Sequence, residues 1–448
     1  MNLRLPLWGF VMGVLFSTCH VLDDEFNLPE DAPNFILIIT DDQRFDALGV
    51  AQGQQGRITR FPWLQLPTLD SLAATGTYFK NAFVTTSLCS PSRASILTGQ
   101  YTRSHGIRSN NDQFNMASFA SELKRFGYYT GYFGKWHMGN QSGPRPGFDH
   151  SYSFIGQGEY FDADFQYNGK AYASQGWVDA VSTDHLIDKL DHIQDQPFCF
   201  VLGMKSSHGP WNKPPKITEN YFVGDTIYPV PNYSSLPLSV IESGINDEID
   251  IATLHQYIVY FRYLAAVDLQ VKKIVDELRL SGLSKNTYLF FMSDNGFFMG
   301  EHQIRIDKRL AYEESIRIPF FISGPKAASH VNESLVLNVD VCPTLLDLAG
   351  VPNRLSTQGK SLVPLLDQSA SSLRDYFVYE YYKESIGIQT DILAVRNDRY
   401  KLIRYQEYPE WDELFDLVED PYETTNLIAH PTYQGVVDQL DKKLVESL

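Results

Sequence analysis

Two short runs of apolar residues, far apart along the chain, share one pattern and predict buried strands. Residues Asn34–Thr40 read Asn-Phe-Ile-Leu-Ile-Ile-Thr, and residues Thr287–Ser293 read Thr-Tyr-Leu-Phe-Phe-Met-Ser. Neither run alternates with polar residues, which is typical of strands covered on both faces. Helical patterns lie between them, the clearest from about Glu248 to Leu280, with Gly282 as its stop. The alternation predicts an α/β fold with a large mixed, mostly parallel central sheet flanked by helices.

The C-terminal part of the chain has shorter runs, which predict a small antiparallel sheet. Its strands are expected at Tyr376–Tyr382, Ile392–Val395, Tyr400–Tyr405 and Glu413–Leu417. A terminal helix is expected from about Gln434. Because Ser and Asp residues interrupt the pattern between positions 365 and 374, we place a domain boundary there. It separates a larger domain, residues 30–368, from a C-terminal subdomain, residues 369–448.

The first nineteen residues are typical of an export signal. Arg4 precedes the apolar stretch Leu5–Phe16, which is shorter than the roughly 20 apolar residues of a membrane span. The segment ending at Cys19 partly matches a bacterial lipoprotein box, so a lipid anchor at Cys19, ordinary cleavage and a retained anchor are alternatives. No later stretch has the length and apolarity of a membrane span. We expect an exported protein that is periplasmic, a cell-surface lipoprotein or secreted.

The net charge of the chain limits the classes of molecule that it can be expected to bind. The chain has 37 Lys+Arg and 54 Asp+Glu, hence a net charge of −17, and no basic run stands out. Nucleic acid is excluded as a partner, because affinity for a phosphate backbone comes from clustered Lys and Arg. An anionic substrate would need a local cationic pocket within this repulsive field.

The cysteines fall into two kinds. Cys199 lies in an apolar run and Cys342 at a predicted helix start, so we expect both to be small buried side chains rather than disulfide partners. Cys89 differs, because Pro91 suits the first turn of a helix and Gly99 its end. A cysteine at a helix N-terminus is either an activated thiol or part of a cap without catalytic importance. The local sequence leaves both readings open.

Acidic and amide side chains follow both buried strands. Asp41 and Asp42 come after the first strand, and Asp294 and Asn295 after the second. Adjacent like charges at a strand end are unfavourable unless a cation or hydrogen-bond donors neutralise them. An all-oxygen ligand set suits Ca²⁺, less well Mg²⁺, and does not suit Zn²⁺. Solvated acids in two surface turns are the alternative.

Other polar residues are candidates for substrate contacts. Lys135 and His137 are two positions apart, so in an extended segment both side chains lie on one face. Such a pair can neutralise an anion and move protons, or can be an exposed pair on a turn. His105 and Arg108, just beyond the predicted helix that begins near Cys89, are candidates for contacting a carboxylate or another anionic group of a substrate. The aromatic residues between positions 152 and 172 suit either stacking on sugar rings or core packing.

Several motifs together resemble one enzyme family. They are Cys89-Ser90-Pro91-Ser92-Arg93 with Leu97-Thr98-Gly99, Asp41-Asp42-Gln43-Arg44, Gly134-Lys135-Trp136-His137, Ser207-His208-Gly209-Pro210, Asp294-Asn295-Gly296, Gly300-Glu301-His302 and Arg317-Ile318-Pro319. Their identity and order are similar to those of the formylglycine-dependent type I sulfatases, members of the alkaline phosphatase superfamily. The resemblance covers nearly the whole chain after the signal.

The resemblance implies a modified residue and a metal site. In this family the signature cysteine, here Cys89, is oxidised to formylglycine, an aldehyde whose hydrate is the nucleophile. Arg93 corresponds to the residue that orients this hydrate. Residue 89 also corresponds to a calcium ligand, together with Asp41, Asp42, Asp294 and Asn295.

The resemblance also implies the residues that bind sulfate and move protons. Lys135 and Lys308 correspond to sulfate-binding cations, and Arg305 is a rival for the position of Lys308. His137 corresponds to the base that releases sulfate from the covalent intermediate. His208 corresponds to the acid that protonates the leaving alcohol.

The function implied is hydrolysis of sulfate monoesters on sugars of a sulfated polysaccharide or its oligosaccharides. A formylglycine-generating or radical maturation enzyme is then an expected partner. Gln100 departs from the arginine that often follows this signature, which affects how such an enzyme reads the site. The alternatives are a phosphonate or phosphate ester hydrolase of the same superfamily and a non-catalytic glycan-binding surface protein.

Overall fold

The computed structural model describes residues 28–29, 31–53, 57–193, 196–246, 254, 256–305 and 307–448. The predicted export signal with Cys19 lies outside these residues. Within them, no helix has both the length and the apolarity needed to cross a membrane.

The strands of the described residues form two sheets. The larger sheet consists of β1 (Asn34–Thr40), β2 (Thr77–Phe83), β3 (Tyr129–Lys135), β4 (His150–Phe154), β5 (Asp164–Tyr167), β6 (Lys170–Ala173), β7 (Phe198–Gly203), β8 (Thr287–Ser293), β9 (Phe320–Ser323) and β10 (His330–Leu337). The smaller sheet consists of β11 (Tyr376–Tyr381), β12 (Ile392–Asn397), β13 (Tyr400–Tyr405) and β14 (Glu413–Asp416).

Helices cover the larger sheet and close the chain. Those described are α1 (Pro67–Thr75), α2 (Cys89–Thr98), α3 (Thr102–His105), α4 (Phe119–Arg125), α5 (Val178–Leu190), α6 (Leu238–Ser243), α7 (Ile258–Leu280), α8 (Glu313–Ile316), α9 (Val341–Leu348), α10 (Val363–Leu366) and α11 (Gln434–Ser447).

The order of strands puts β1 in the middle of the larger sheet. The order is β10-β2-β9-β8-β1-β7-β3-β4-β5-β6. β1 pairs in parallel with β8 and β7, and β3 pairs in parallel with β7 and β4. β9 runs antiparallel to β2 and β8, and β5 and β6 extend the other edge as antiparallel strands. The carboxyl ends of β1, β3, β7 and β8 therefore meet along one edge, where α/β sheets form their functional crevices.

The two faces of the larger sheet pack against different cores. Phe35, Leu37 and Ile39 of β1 belong to one buried cluster, and Ile36 and Ile38 belong to the other. This division follows because successive side chains of a strand point to opposite faces. The smaller sheet and α11 contribute to the first core, and α7 contributes to the second. Burial on both faces explains why β1 is a continuous apolar run.

The predicted α/β architecture is confirmed. β1, β8 and β13 have the predicted bounds, and the other strands of the smaller sheet end within two residues of prediction. The long helix expected from about Glu248 is described as α7, from Ile258; residues 247–253 and 255 lie outside the described part. Gly282 beyond it has φ of 76°, the left-handed conformation that ends helices. The domain boundary between positions 365 and 374 stays a prediction.

Two smaller predictions have clear outcomes. In the described part of the chain, Cys199 and Cys342 are free and buried, as expected. The aromatic segment forms the end of β4 and the hairpin of β5 and β6, where Phe154 and Phe165 are buried. Core packing therefore accounts for Phe154 and Phe165, whereas Tyr172 keeps 47% of its surface exposed.

A buried ion network joins the smaller sheet to the segment that follows β8. Glu313 accepts hydrogen bonds from Arg396 of β12 at 3.0 Å and Lys401 of β13 at 3.1 Å. The Glu313 backbone donates to Glu423 at 2.8 Å, and Lys401 also contacts Glu423. All four side chains are nearly inaccessible to solvent. Losing one charge would leave its partners buried without compensation.

Glu313→Gln is therefore expected to lower the free energy of unfolding by roughly 3 kcal/mol, because Arg396 and Lys401 lose a shared counter-charge. Glu333→Gln is the matched control, since its ion pair with Lys80 leaves 69% of the glutamate side chain exposed. The control substitution should lower the free energy of unfolding by less than about 1 kcal/mol. Urea unfolding at neutral pH measures both values, and equal losses in the two variants would contradict this account.

Candidate active site

The ends of β1 and β8 bring the predicted acidic residues together. β1 and β8 are in register up to Thr40 opposite Ser293, so the residues that follow them are neighbours. The Asp42 backbone donates to Asp294 Oδ1 at 3.2 Å, and Asn295 Nδ2 donates to Asp42 Oδ1 at 2.6 Å. Asp42 has φ of 59°, which turns the chain sharply away from the strand. All of these side chains are buried, so the alternative of solvated surface turns is wrong.

Cationic side chains from three other segments pair with these carboxylates. Lys135, the last residue of β3, contacts Asp41, and Lys308 contacts Asp42. Arg93 Nε of α2 donates to Asp294 Oδ2 at 2.8 Å. Burial alone would raise the pKa of Asp41, but the Lys135 ammonium, with His208 and Lys308, holds it well below its usual value. The three cationic side chains therefore lie at the strand ends, and each is paired with one of the carboxylates.

Cys89 lies at the centre of this group as the first residue of α2. Its thiol donates to Asp41 Oδ1 at 3.4 Å and accepts from Lys308 Nζ at 2.9 Å. Burial and the Asp41 carboxylate raise the pKa of Cys89 to about 12, although Lys308 opposes this. The thiol is therefore protonated near neutral pH, and Cys89 is not an activated thiolate. Gly99 ends α2 with φ of 69°, as predicted.

The two site histidines approach from different loops. β3 ends at Lys135 and His137 has φ of 48°, so the segment is not extended through His137; both side chains are nevertheless buried, which contradicts the alternative of an exposed pair on a turn. The His137 carbonyl accepts from Ser90 Oγ at 2.5 Å, and its buried Nδ1 has no hydrogen-bond partner among the described residues. Burial and the Lys135 ammonium hold the pKa of His137 well below its usual value.

His208 is the more exposed of the two. Its Nε2 lies 3.8 Å from Asp42 Oδ2, and 24% of its side-chain surface is accessible. Its Nδ1 lies 2.6 Å from the Gly209 carbonyl, and Tyr160 donates to the His208 carbonyl. Burial lowers the pKa of His208 to about 4, although Asp41 opposes this, so its ring is neutral near pH 7.

Three other candidates lie outside this group. The ring nitrogens of buried His105 contact Ser95 Oγ at 3.0 Å and the Ile107 backbone at 3.1 Å. Both ring nitrogens of His105 are therefore occupied, one of them in joining its segment to α2, and the residue lies outside the group around Cys89. Arg108 is exposed and lies over the Tyr382 ring at 4.4 Å. Arg305 is exposed, so of the two rivals it is Lys308 that reaches Cys89.

Two residues at the site were not predicted. Gln157, after β4, accepts from Lys135 Nζ through its side chain at 2.5 Å. Lys205, just beyond β7, donates to the Gln157 carbonyl at 3.0 Å. Gln157 lies within the aromatic segment, and Lys205 stands three positions before His208. In the sequence, only this closeness to a noted segment or motif marks the two residues, and closeness along the chain does not predict which side chains they contact.

The donor atoms at the strand ends fit a divalent cation. Ligand atoms of Asp41, Asp42, Cys89 and Asp294 all lie within 4.8 Å of one another. Asn295 Oδ1 is buried and has no hydrogen-bond partner among the described residues. Burial and the Asp41 carboxylate raise the pKa of Asp294 to about 7, although Arg93 opposes this. The carboxylates therefore repel one another even with three cations beside them, and a divalent cation would relieve this repulsion.

Comparison with known families agrees with this geometry. The Sulfatase family model matches residues 33–351, and the model for N-sulphoglucosamine sulphohydrolase, C-terminal, matches residues 300–448. The first match spans more than half of the chain and includes every residue of the group around Cys89. The chain belongs to the sulfatase family and is a sulfuric ester hydrolase, which confirms the resemblance of its motifs.

Individual relatives are similar over most of the chain. The N-acetylglucosamine-6-O-sulfatase of Bacteroides thetaiotaomicron is 29% identical over 495 residues, covering 93% of this chain and 86% of that protein. The ulvan-active sulfatase of Formosa agariphila is 28% identical, and the match covers 93% of this chain and 81% of that protein. A solved structure bound to its substrate D-glucosamine-2-N,6-O-disulfate has a TM-score of 0.80 and 28% identity, with 93% and 97% of the chains covered.

A divalent cation is expected to stabilise the chelator-treated protein, because it offsets repulsion among Asp41, Asp42 and Asp294. At a concentration 100-fold above Kd the gain is about 2.7 kcal/mol. Thermal unfolding with and without added cation measures it. Asp294→Asn should reduce the rise in unfolding temperature that the cation causes. Asp184→Asn is the control and should show the same rise as the wild type, because the Asp184 side chain is 61% exposed. An unfolding temperature that no divalent cation changes would contradict this site.

Proposed function

We propose that the protein hydrolyses sulfate monoesters on sugars of a sulfated polysaccharide or of its oligosaccharides. The observation that carries this proposal is the position of Cys89 between three buried carboxylates and the cations Arg93, Lys135 and Lys308. Such a site can bind an anionic ester within a protein of net charge −17. The relatives support the sugar, because their names specify an N-acetylglucosamine sulfate, ulvan and a glucosamine disulfate.

Cys89 is proposed to be the precursor of formylglycine. Its raised pKa leaves a poor nucleophile at neutral pH, which fits a residue that acts only after modification. The formylglycine supplies a hydrated aldehyde as the nucleophile. The surroundings of Arg93 support its proposed role of orienting the hydrate. Its guanidinium donates to Asp294 and, at 2.8 Å, to the Lys135 carbonyl. Its buried Nη2 has no hydrogen-bond partner among the described residues and could donate to the hydrate.

The remaining side chains are proposed to bind the ester and move protons. Lys135 and Lys308 offset the charge of the sulfuryl oxygens. His208 gives a proton to the leaving alcohol; its ring is neutral in the free protein, and the negative charge of a bound ester raises its pKa. His137 receives a proton when sulfate is released, which fits its unpartnered Nδ1.

Calcium is proposed as the cation, with Mg²⁺ as the weaker candidate. The residues that would hold it are Asp41, Asp42, Asp294, Asn295 and residue 89. Ca²⁺ accepts six to eight oxygen ligands in flexible geometry, whereas Mg²⁺ requires a near-ideal octahedron and retains water. When bound, it would supply positive charge to the sulfuryl oxygens. An all-oxygen set, without thiolate or imidazole ligands, argues against Zn²⁺.

The cellular setting is proposed from the sequence. The N-terminal pattern indicates export to the periplasm, the cell surface or the medium, with lipidation of Cys19 as one alternative. A formylglycine-generating or radical maturation enzyme would act on Cys89 before the chain folds, because the thiol is inaccessible in the structure. The smaller sheet and α11 are proposed to be the C-terminal subdomain of residues 369–448.

Cys89→Ala is expected to abolish sulfate release, because it removes the precursor of the nucleophile. Cys342→Ala is the matched control, since Cys342 is also a free buried cysteine but belongs to α9. The peptide containing residue 89 should be about 18 Da lighter than its cysteine form, the difference made by replacing a thiol with an aldehyde. Full activity of Cys89→Ala, or an unmodified active protein, would overturn the proposal.

A panel of sulfated polysaccharides and defined oligosaccharides tests the substrate class, with released sulfate measured directly. We expect release from at least one sulfated sugar and weaker turnover of a matched phosphate diester or phosphonate ester. Faster turnover of the phosphorus esters would favour the alternative hydrolase. Binding of sulfated sugars without release, by a protein whose residue 89 is unmodified, would favour a glycan-binding protein.

A further inference from the structure

Lys205 is a buried cation beside the active site that differs from the other cations there. It follows β7, which lies between β1 and β3 in the larger sheet, and only 2% of its surface is accessible. Its ammonium donates to the Gln157 carbonyl at 3.0 Å and lies 4.8 Å from the centre of the Tyr160 ring. The Gln157 side chain accepts from Lys135, so one residue contacts both ammonium groups.

No carboxylate in the described part of the chain forms an ion pair with Lys205, although the negative charges of Asp41, Asp179 and Glu159 act on it from a greater distance. No carboxylate there lies within 4.0 Å of its Nζ, whereas Lys135, Lys308 and Arg93 each contact an aspartate. A neutral carbonyl satisfies one of its three N–H donors. A buried ammonium without a partner is unfavourable. Burial and the Lys135 ammonium lower the pKa of Lys205 to about 8, so most of it remains charged at pH 7.

The backbone of Lys205 is held firmly, although its ammonium forms no ion pair with a described carboxylate. Asp179, buried at the start of α5, accepts from the Lys205 backbone at 2.7 Å and from the Ser206 backbone at 3.1 Å. Asp179 also accepts from the Ser206 hydroxyl at 2.6 Å. The same turn leads to His208. These bonds fix the position from which the lysine side chain extends toward Gln157.

We propose that Lys205 is an additional anion-binding residue of the substrate site, which receives an anionic oxygen of the sulfated substrate. This inference rests on the proposed function and deepens it. The oxygen belongs either to the sulfate ester that is cleaved or to a second anionic substituent of the sugar, such as a carboxylate or another sulfate. Both are the same chemistry, an oxyanion that pairs with a buried ammonium.

Lys205→Met tests the unpaired charge without any turnover. The variant keeps the length of the side chain, so we expect an unfolding temperature equal to or above that of the wild type, because an uncompensated charge is removed. Added sodium sulfate should raise the unfolding temperature less in Lys205→Met than in the wild type. Lys216→Met, an exposed lysine of the same loop, is the control and should respond as the wild type does.

Turnover then identifies the source of the oxyanion. For the substrate it serves, Lys205→Met should lower kcat/KM by about 10- to 100-fold, the range of one hydrogen bond to a charged group. Lys205→Arg should restore part of this loss. A loss for every substrate, a small aryl sulfate included, assigns the contact to the reacting sulfate. A loss confined to sugars with a second anionic group assigns it to that group.

The inference and the proposed function fail in different ways. If the wild type releases sulfate but Lys205→Met matches it in kcat/KM for all substrates and in its response to sulfate, only the role of Lys205 is overturned. A lower unfolding temperature in Lys205→Met with an unchanged response to sulfate also overturns it, because this indicates a structural role. If the wild type releases no sulfate from any substrate, the proposed function itself fails. Lys205→Gln repeats these measurements should the methionine variant not fold.

Discussion

Repulsion among buried carboxylates is the constraint around which this active site is organised. Asp41, Asp42 and Asp294 meet because β1 and β8 end in register, and none of them reaches solvent. Lysine and arginine side chains from β3, α2 and the loop after β8 supply the compensating charge. Burial and the Asp41 carboxylate nevertheless raise the pKa of Asp294 to about 7, although Arg93 opposes this. The same imbalance that disfavours the bare site makes it suitable for a divalent cation.

The larger sheet makes this concentration of charge tolerable. Its central strand packs against a separate core on each face, so the free energy of apolar burial holds the strand ends in place despite their repulsion. A second buried network around Glu313 ties the smaller sheet to the chain near the site. In both regions each described carboxylate has a cation from a distant part of the sequence. Ion pairs of this kind stabilise the arrangement only when every partner is present.

Much of the site could be predicted because its residues lie directly beside strong local patterns. Asp41 and Asp294 follow continuous apolar runs, and Cys89 opens a helix marked by Pro91 and Gly99, so the position of each is set by its own neighbours. Tertiary packing alone determined the remaining features. The thiol of Cys89 is neutral because of burial and Asp41, neither of which is visible in the helix sequence.

The sequence by itself determined the fold class, the central strands, the family and the residues that carry its motifs, since apolar periodicity and signature spacing are local properties of the chain. The tertiary structure decided which side chains face one another. His105 contacts Ser95 of α2 and the backbone of Ile107, Lys308 rather than Arg305 contacts Cys89, and Gln157 contacts both Lys205 and Lys135. The contacts of Lys308 and Lys205 join residues tens to hundreds of positions apart, and even the shorter-range contact of His105 joins two helices; side-chain direction in such contacts is set by packing rather than by sequence pattern.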